Sequence, residues 1–283
     1  MDIKKAVRKF VNSPHPLWET ELTKLLVRAK WQELKEVGIL NEQNYTTSRS
    51  LKSNYRLAQN SELIIEQAGQ RIFLEASSID LIDFYKAHGL SVYNIAELEK
   101  YQVFSKLKKA LMLFQGLGHS DSCIIALVRS IQGLKQDDKE IDISYSHPNI
   151  PFSIFVSVCE DQSTISNLRV AESILHESMH LKLTLIENTI PLVKPGANNL
   201  FFSPWREEQR PAGGILHGLF VFKAIFNFYS DIKNKFKTDE TLKYIKNRED
   251  QIAFEIQELK NFNDCSDLTE YGAILTKNLL PLN

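Results

Sequence analysis

Two histidines four positions apart are the residues of this chain best suited to chemistry. His176 and His180 enclose Glu177 in the pattern His-Glu-x-x-His. Residues four apart lie on one face of an α-helix, so both imidazoles can point at one ion. Neutral imidazole is a good ligand for zinc or ferrous iron. The spacing predicts half of a metal site, although the short pattern also arises by chance on ordinary amphipathic helices.

The sequence around the motif favours a site inside the molecule. Glu172 lies four positions before His176, so it extends the polar stripe of the helix. The opposite stripe is apolar and consists of Val170, Ile174, Leu181 and Leu185. We therefore expect the polar stripe to face an internal cavity. Glu172 either orients a ligand histidine from behind or is a solvated helix residue.

A third ligand must come from elsewhere in the chain. The continuation His-Glu-x-x-His-x-x-Gly-x-x-His of one zinc-protease class is excluded, because Leu183 and Ile186 occupy its last two positions. The favoured candidate is His217, the only ionisable side chain in the apolar segment 213–222, which we expect to be buried. A lone buried histidine is often a core residue, but two histidines that need a partner favour a ligand.

A charged cluster precedes that segment. Arg206 and Arg210 could each grip a carboxylate in two hydrogen bonds, as a dicarboxylic cosubstrate would require. Glu207 and Glu208 lie between them, so the arginines could instead pair with these neighbours. The same two glutamates are further candidates for a metal ligand.

Composition excludes several classes of protein. The chain has 283 residues with a net charge of -1 and mixed signs, which argues against a nucleic-acid or membrane-surface partner. Its three cysteines are widely spaced, so they indicate neither a disulfide framework nor a cysteine metal site. The first ten residues lack the apolar run of a signal peptide. We expect a cytoplasmic protein.

The periodicity predicts a mainly α protein with a small β hairpin or sheet, of the α+β class. We expect one compact unit over residues 1–283, with a helical part at 1–135 and a metal-binding catalytic part at 136–283. The motif helix should pack near a second apolar helix that carries His217. Predicted helices cover about 16–37, 57–68, 78–87, 94–114, 122–131, 167–187, 213–229, 238–259 and 266–278; predicted strands cover 141–145 and 152–158; and 191–211 is a predicted loop.

Three motifs in order carry a resemblance. They are the segment 171–183 around the histidines, Ser203-Pro204-Trp205-Arg206 with Arg210-Pro211, and Gly214-Ile215-Leu216-His217-Gly218. Together they resemble the HExxH-domain family of 2-oxoglutarate-dependent β-hydroxylases, which act on ribosomally made precursor peptides. The resemblance covers about residues 140–230, and the first half of the chain carries no motif of it.

The resemblance implies an iron(II) site whose ligands are His176, His180 and His217. It also implies 2-oxoglutarate and dioxygen as cosubstrates and a precursor peptide as substrate. Arg210 or Arg206 would bind the distal carboxylate of 2-oxoglutarate.

Glutamate side chains could also contribute to the iron site. Glu177 would support the iron site without acting as a general base. Because iron sites of this kind usually include one carboxylate, Glu172, Glu177, Glu207 and Glu208 are the alternative iron ligands.

Two other functions compete with this one. A zinc metallopeptidase would use Glu177 as general base on a zinc-bound water, and should show a sheet edge beside the motif helix for the substrate backbone. A non-catalytic peptide-binding module would bind no metal.

Overall fold

The computed structural model describes residues 2–36, 61–67, 69–136, 138 and 141–281. Their contacts divide the chain into two compact units. The first unit is Met1–Leu26 with Lys182–Asn283, and the second is Val27–Leu181. The predicted division into residues 1–135 and 136–283 does not coincide with these bounds.

The secondary structure follows in chain order. The helices are α1 (Ile3–Val11), α2 (Thr20–Glu36), α3 (Ile82–Ala87), α4 (Ile95–Lys100), α5 (Val103–Met112), α6 (His119–Leu127), α7 (Thr164–Glu187), α8 (Ala212–Ile232), α9 (Asp239–Glu258) and α10 (Glu270–Leu279). The strands are β1 (Glu62–Gln67), β2 (Gln70–Glu75), β3 (Ser130–Leu134), β4 (Ser144–Ser146), β5 (Ser153–Ser157), β6 (Leu200–Ser203) and β7 (Glu208–Pro211). These elements confirm the predicted mainly α fold with a small sheet.

A five-stranded sheet forms the centre of the second unit, in the order β1-β2-β3-β5-β4. Strands β2, β3 and β5 run parallel, whereas β1 and β4 are antiparallel to their neighbours at the two edges. Both β3 and β5 are buried throughout, and the Ser130 and Ser153 hydroxyls bond across them at 2.6 Å. The predicted pairing of two strands before the motif helix is confirmed by β4 and β5.

The helix predicted over 57–68 is wrong where the structure describes it. Residues 62–67 form β1, which pairs with β2 around a turn where Gly69 has a φ of 74°. Residues 57–60 lie outside the described residues. A short apolar run such as Leu63-Ile64-Ile65 fits a helix or a strand equally well. Here the run forms a strand because it pairs with β2, whose buried and more exposed residues alternate.

Two further predictions in the second unit need correction. The helix predicted over 94–114 divides into α4 and α5, because Gln102 adopts a left-handed conformation with a φ of 52°. The helix predicted over 122–131 ends at Leu127, and its last residues begin the buried strand β3. Asn94 caps α4 and forms a capping box with Glu97.

The first unit is built around α8. By length and composition, α8 is the one helix of the described residues that could cross a membrane, but 61% of its most apolar window is buried, as in the core helix of a soluble protein. Helix α9 lies within the helix predicted over 238–259. The segment 191–211, predicted to be a loop, contains the β6–β7 hairpin. A fully buried lysine, Lys182, donates to the Leu17 carbonyl at 2.6 Å.

Candidate functional site

The two motif histidines converge on one point. Both lie on α7, and their Nε2 atoms are 3.1 Å apart with ring centroids separated by 4.7 Å. Two nitrogens bound to one ion at about 2.1 Å and at a right angle would lie about 3.0 Å apart. The spacing and the chemistry of the pair therefore fit two ligands of one metal ion.

Glu177 is held by the edge strand β4. Its side chain is buried, with 4% of its surface exposed. Ser144 Oγ donates to Glu177 Oε1 at 2.6 Å, and Ser146 Oγ donates to Oε2 at 2.6 Å. Hydrogen bonds to a carboxylate are short and strong, so two of them fix this side chain. Its Oε1 atom lies 4.0 Å from His176 Nε2, so the carboxylate stands beside the histidine pair.

The residue between the two serines faces the other side of β4, as strand geometry requires. The Tyr145 hydroxyl lies 2.8 Å from His88 Nδ1. Burial raises the pKa of Tyr145, and the negative charge of Glu177 raises it further. His147 follows the strand, and burial lowers its pKa, with a smaller contribution from His88. Strand β4 thus separates the acidic motif side from a cluster of aromatic and imidazole rings.

The predicted third ligand lies in the first unit. His217 is on α8, with 21% of its side chain exposed, so it is only partly buried. Its Nε2 atom is 2.9 Å from Glu187 Oε2, on the last turn of α7. Within each unit, the described side chains include no group of three or more His, Cys, Asp or Glu residues placed to hold a metal ion.

Glu187 and the two serines were not predicted from the sequence. Glu187 had one signal, because it is the first acidic residue after the motif and lies seven positions beyond His180, a spacing that returns to the same side of a helix. For Ser144 and Ser146, the only sequence signal was the alternation of β4, which places both side chains on one face of the strand.

The hairpin β6–β7 covers two glycines of α8. A methyl group at Gly218 would lie 2.5 Å from Trp205 Cζ3, and one at Gly214 would lie 3.2 Å from Arg210 Nε. The two glycines are four apart, so they share a face of the helix. The side chains of Trp205 and Arg210 therefore approach the helix backbone closely at these two glycines.

The two candidate arginines differ in their surroundings. Arg206 is exposed in the turn between the strands. Arg210 is half-buried against Gly214, and its Nε lies 3.8 Å from Glu208 Oε1, which is too long for a hydrogen bond. The pairing with Glu208 that was the alternative for Arg210 is thus a loose contact.

The first turn of α8 adds to the positive character beside Arg210. Pro211 is the N-cap residue of the helix, and it makes no side-chain hydrogen bond to the first amides. The N-terminus of a helix carries a partial positive charge, which favours a carboxylate. Donor chemistry at this end of α8 therefore fits a carboxylate ligand.

No family model matches the chain, and no curated protein compared with it is significantly similar. The resemblance to the peptide β-hydroxylases rests on the three motifs alone.

Proposed function

We propose that this chain is an iron(II)- and 2-oxoglutarate-dependent oxygenase that hydroxylates a side-chain β-carbon of a ribosomally made precursor peptide. The observation that supports this best is the state of Glu177 beside the converging histidines. Both of its oxygens accept serine hydroxyls, so the carboxylate is tethered. This suits metal chemistry that needs no general base on a metal-bound water.

His176 and His180 would hold the iron, with His217 as the proposed third ligand. When bound, the iron supplies oxidation: 2-oxoglutarate and dioxygen are converted to succinate and carbon dioxide while one oxygen atom enters the substrate C–H bond. The role of Glu177 is to place a fixed negative charge 4.0 Å from His176 Nε2. A negative charge beside the ligating nitrogen would stabilise a bound cation electrostatically.

Arg210, rather than Arg206, is the residue we assign to the distal carboxylate of 2-oxoglutarate. Its guanidinium is half-buried beside the first turn of α8, whereas Arg206 is exposed. Arginine binds a carboxylate through two parallel hydrogen bonds, which orients the ligand as well as binding it.

We also propose a cytoplasmic location. Cys123, Cys159 and Cys265 form no disulfide, and the first two are buried. A chain with free thiols and no disulfide among its described residues suits a reducing compartment.

The test is anaerobic reconstitution with iron(II) and 2-oxoglutarate, followed by addition of dioxygen. We expect succinate to form, and a co-expressed precursor peptide to gain one oxygen atom by mass spectrometry. His180→Ala is the matched control and should lose both signals. The proposal fails if zinc supports peptide cleavage while 2-oxoglutarate is untouched, or if the reconstituted protein binds no metal.

A zinc metallopeptidase is the second candidate, because one feature expected of it is present. Strand β4 is an edge of the sheet and bonds the motif helix through Ser144 and Ser146. An extended peptide could add to such an edge. In that enzyme, one of the two serine hydrogen bonds to Glu177 would have to break, so that the carboxylate could accept a proton from a metal-bound water.

Glu177→Gln separates the two candidates. A glutamine keeps the shape of the side chain and can bond both serines, but it cannot take up a proton as a general base. Peptide cleavage should disappear in this variant, whereas conversion of 2-oxoglutarate to succinate should persist.

A further inference from the structure

Trp205 carries a buried donor without a partner. Its indole Nε1 is inaccessible to solvent and makes no hydrogen bond to the described residues. Buried N–H groups in proteins are nearly always paired, because an unpaired donor has lost its water without replacement. The exception at Trp205 therefore calls for a partner other than the described residues.

The position of this N–H is fixed by its surroundings. The Cζ3 and Cε3 atoms of Trp205 press against Gly218, and the ring stacks on Phe222 with centroids 4.9 Å apart and planes 7° apart. Arg248 lies over the same Phe222 ring at 5.6 Å. Because Cζ3 and Cε3 are on the opposite edge of the indole from Nε1, the N–H points away from Gly218. The ring is therefore fixed in position, with its donor directed away from Gly218.

Arg210 packs on the same face of α8 as Trp205. Trp205 covers Gly218, and Arg210 covers Gly214 one turn earlier. A carboxylate offers about four lone-pair sites, and a guanidinium in fork geometry uses two of them. The remaining sites need other donors if the carboxylate is to be bound away from water.

We infer that the indole N–H of Trp205 donates to the same distal carboxylate that Arg210 holds, which makes Trp205 a binding residue for the 2-oxo acid cosubstrate. The inference rests on the proposed function and goes beyond it. It assigns Trp205 a contact that a packing role would not require, since phenylalanine could also pack on Gly218 and Phe222.

A second tryptophan, Trp18, shows that a buried N–H without a hydrogen-bond partner does not by itself define a binding site. Trp18 Nε1 is also buried without a partner among the described residues. Trp205 differs from Trp18 because Arg210 packs on the same face of α8, against the first turn of that helix. Trp18 thus serves as the internal control for any effect of the ligand on a buried indole.

The experiment is a titration of the zinc-loaded protein with 2-oxoglutarate, followed in the proton–nitrogen NMR spectrum. Zinc replaces iron because it is diamagnetic. The chain has three tryptophans, so it gives three indole signals. Trp205→Phe identifies one by its loss, and Trp18→Phe and Trp31→Phe identify the others. We expect the Trp205 signal to shift saturably with 2-oxoglutarate while the other two stay in place, and Arg210→Gln to abolish the shift.

Calorimetry supplies the second measurement, and it tests the role of Trp205 separately from the proposed function. Trp205→Phe should weaken the binding of 2-oxoglutarate by about tenfold or more, because the lost bond is to a charged group. If the wild type binds 2-oxoglutarate but the Trp205 signal does not move, or if Trp205→Phe binds as tightly, the role of Trp205 is refuted and the proposed function survives. If the metal-loaded wild type binds no 2-oxoglutarate, both the role of Trp205 and the proposed function are refuted.

Discussion

The two serines of β4 offer the most direct test of how Glu177 is held. Ser144→Ala and Ser146→Ala each delete a hydroxyl that donates to a buried carboxylate at 2.6 Å. A hydrogen bond to a charged group contributes about 1.5–3 kcal/mol. We therefore expect each substitution to lower the free energy of unfolding by that amount, and the double variant to lose about 3–6 kcal/mol.

The assay is urea unfolding at pH 7 in a double-mutant cycle with Glu177→Ala. Once the carboxylate is gone, each serine loses its acceptor, so each substitution should then cost less than about 1 kcal/mol. Ser153→Ala is the matched control, because it removes a hydroxyl that bonds Ser130 in the same sheet. Its cost should be the same with and without the carboxylate.

A loss below about 1 kcal/mol in the double variant would refute the reasoning, since it would mean that the serines do not hold the glutamate. The same would follow if the cycle showed no coupling between Glu177 and the two serines. The proposed function would then lose the observation that favours it over a peptidase.

Three further outcomes can be measured. His180→Ala should abolish binding of iron(II) and of zinc in a metal assay while the unfolding curve keeps its shape, because the ring is partly exposed. Gly218→Ala places a methyl group 2.5 Å from the Trp205 ring, and should cost about 1–3 kcal/mol in urea unfolding. Burial lowers the pKa of Lys223 to about 8 from 10.5, so between these pH values the unfolded chain binds a proton that the folded chain does not. Stability from this residue therefore rises with pH over that window, and Lys223→Met should flatten the rise in unfolding curves recorded at several pH values.

Strong periodicity made some of the fold predictable. Helix α8 is apolar over its whole length, and the alternation of residues 141–145 indicated the strand that pairs with β5. By contrast, β6 and β7 are four residues each, within a stretch marked by proline and glycine. Two short strands gain their stability from each other and from packing on Gly214 and Gly218, which no local pattern reports.

The candidate site divides in the same way. The convergence of His176 and His180 follows from helical spacing, because four residues make one turn. The partners of Glu177 could not be predicted, because Ser144 and Ser146 lie 33 and 31 positions away in the sequence. Contacts of this kind depend on how the sheet edge meets the helix, and that is a property of tertiary packing.

This difference explains why the motif alone does not decide between the two enzymes. The histidines of His-Glu-x-x-His serve as metal ligands in both, so their geometry carries no preference. The preference must come from the glutamate, which a peptidase needs as a base and an oxygenase does not. In this chain the two hydroxyls that engage Glu177 belong to β4, the same edge strand that a peptidase would offer to its substrate. The same strand therefore supports both functions: it holds the glutamate, as the oxygenase allows, and it offers the edge that a peptidase would need. Glu177→Gln distinguishes the two, because it should abolish peptide cleavage and leave the conversion of 2-oxoglutarate in place.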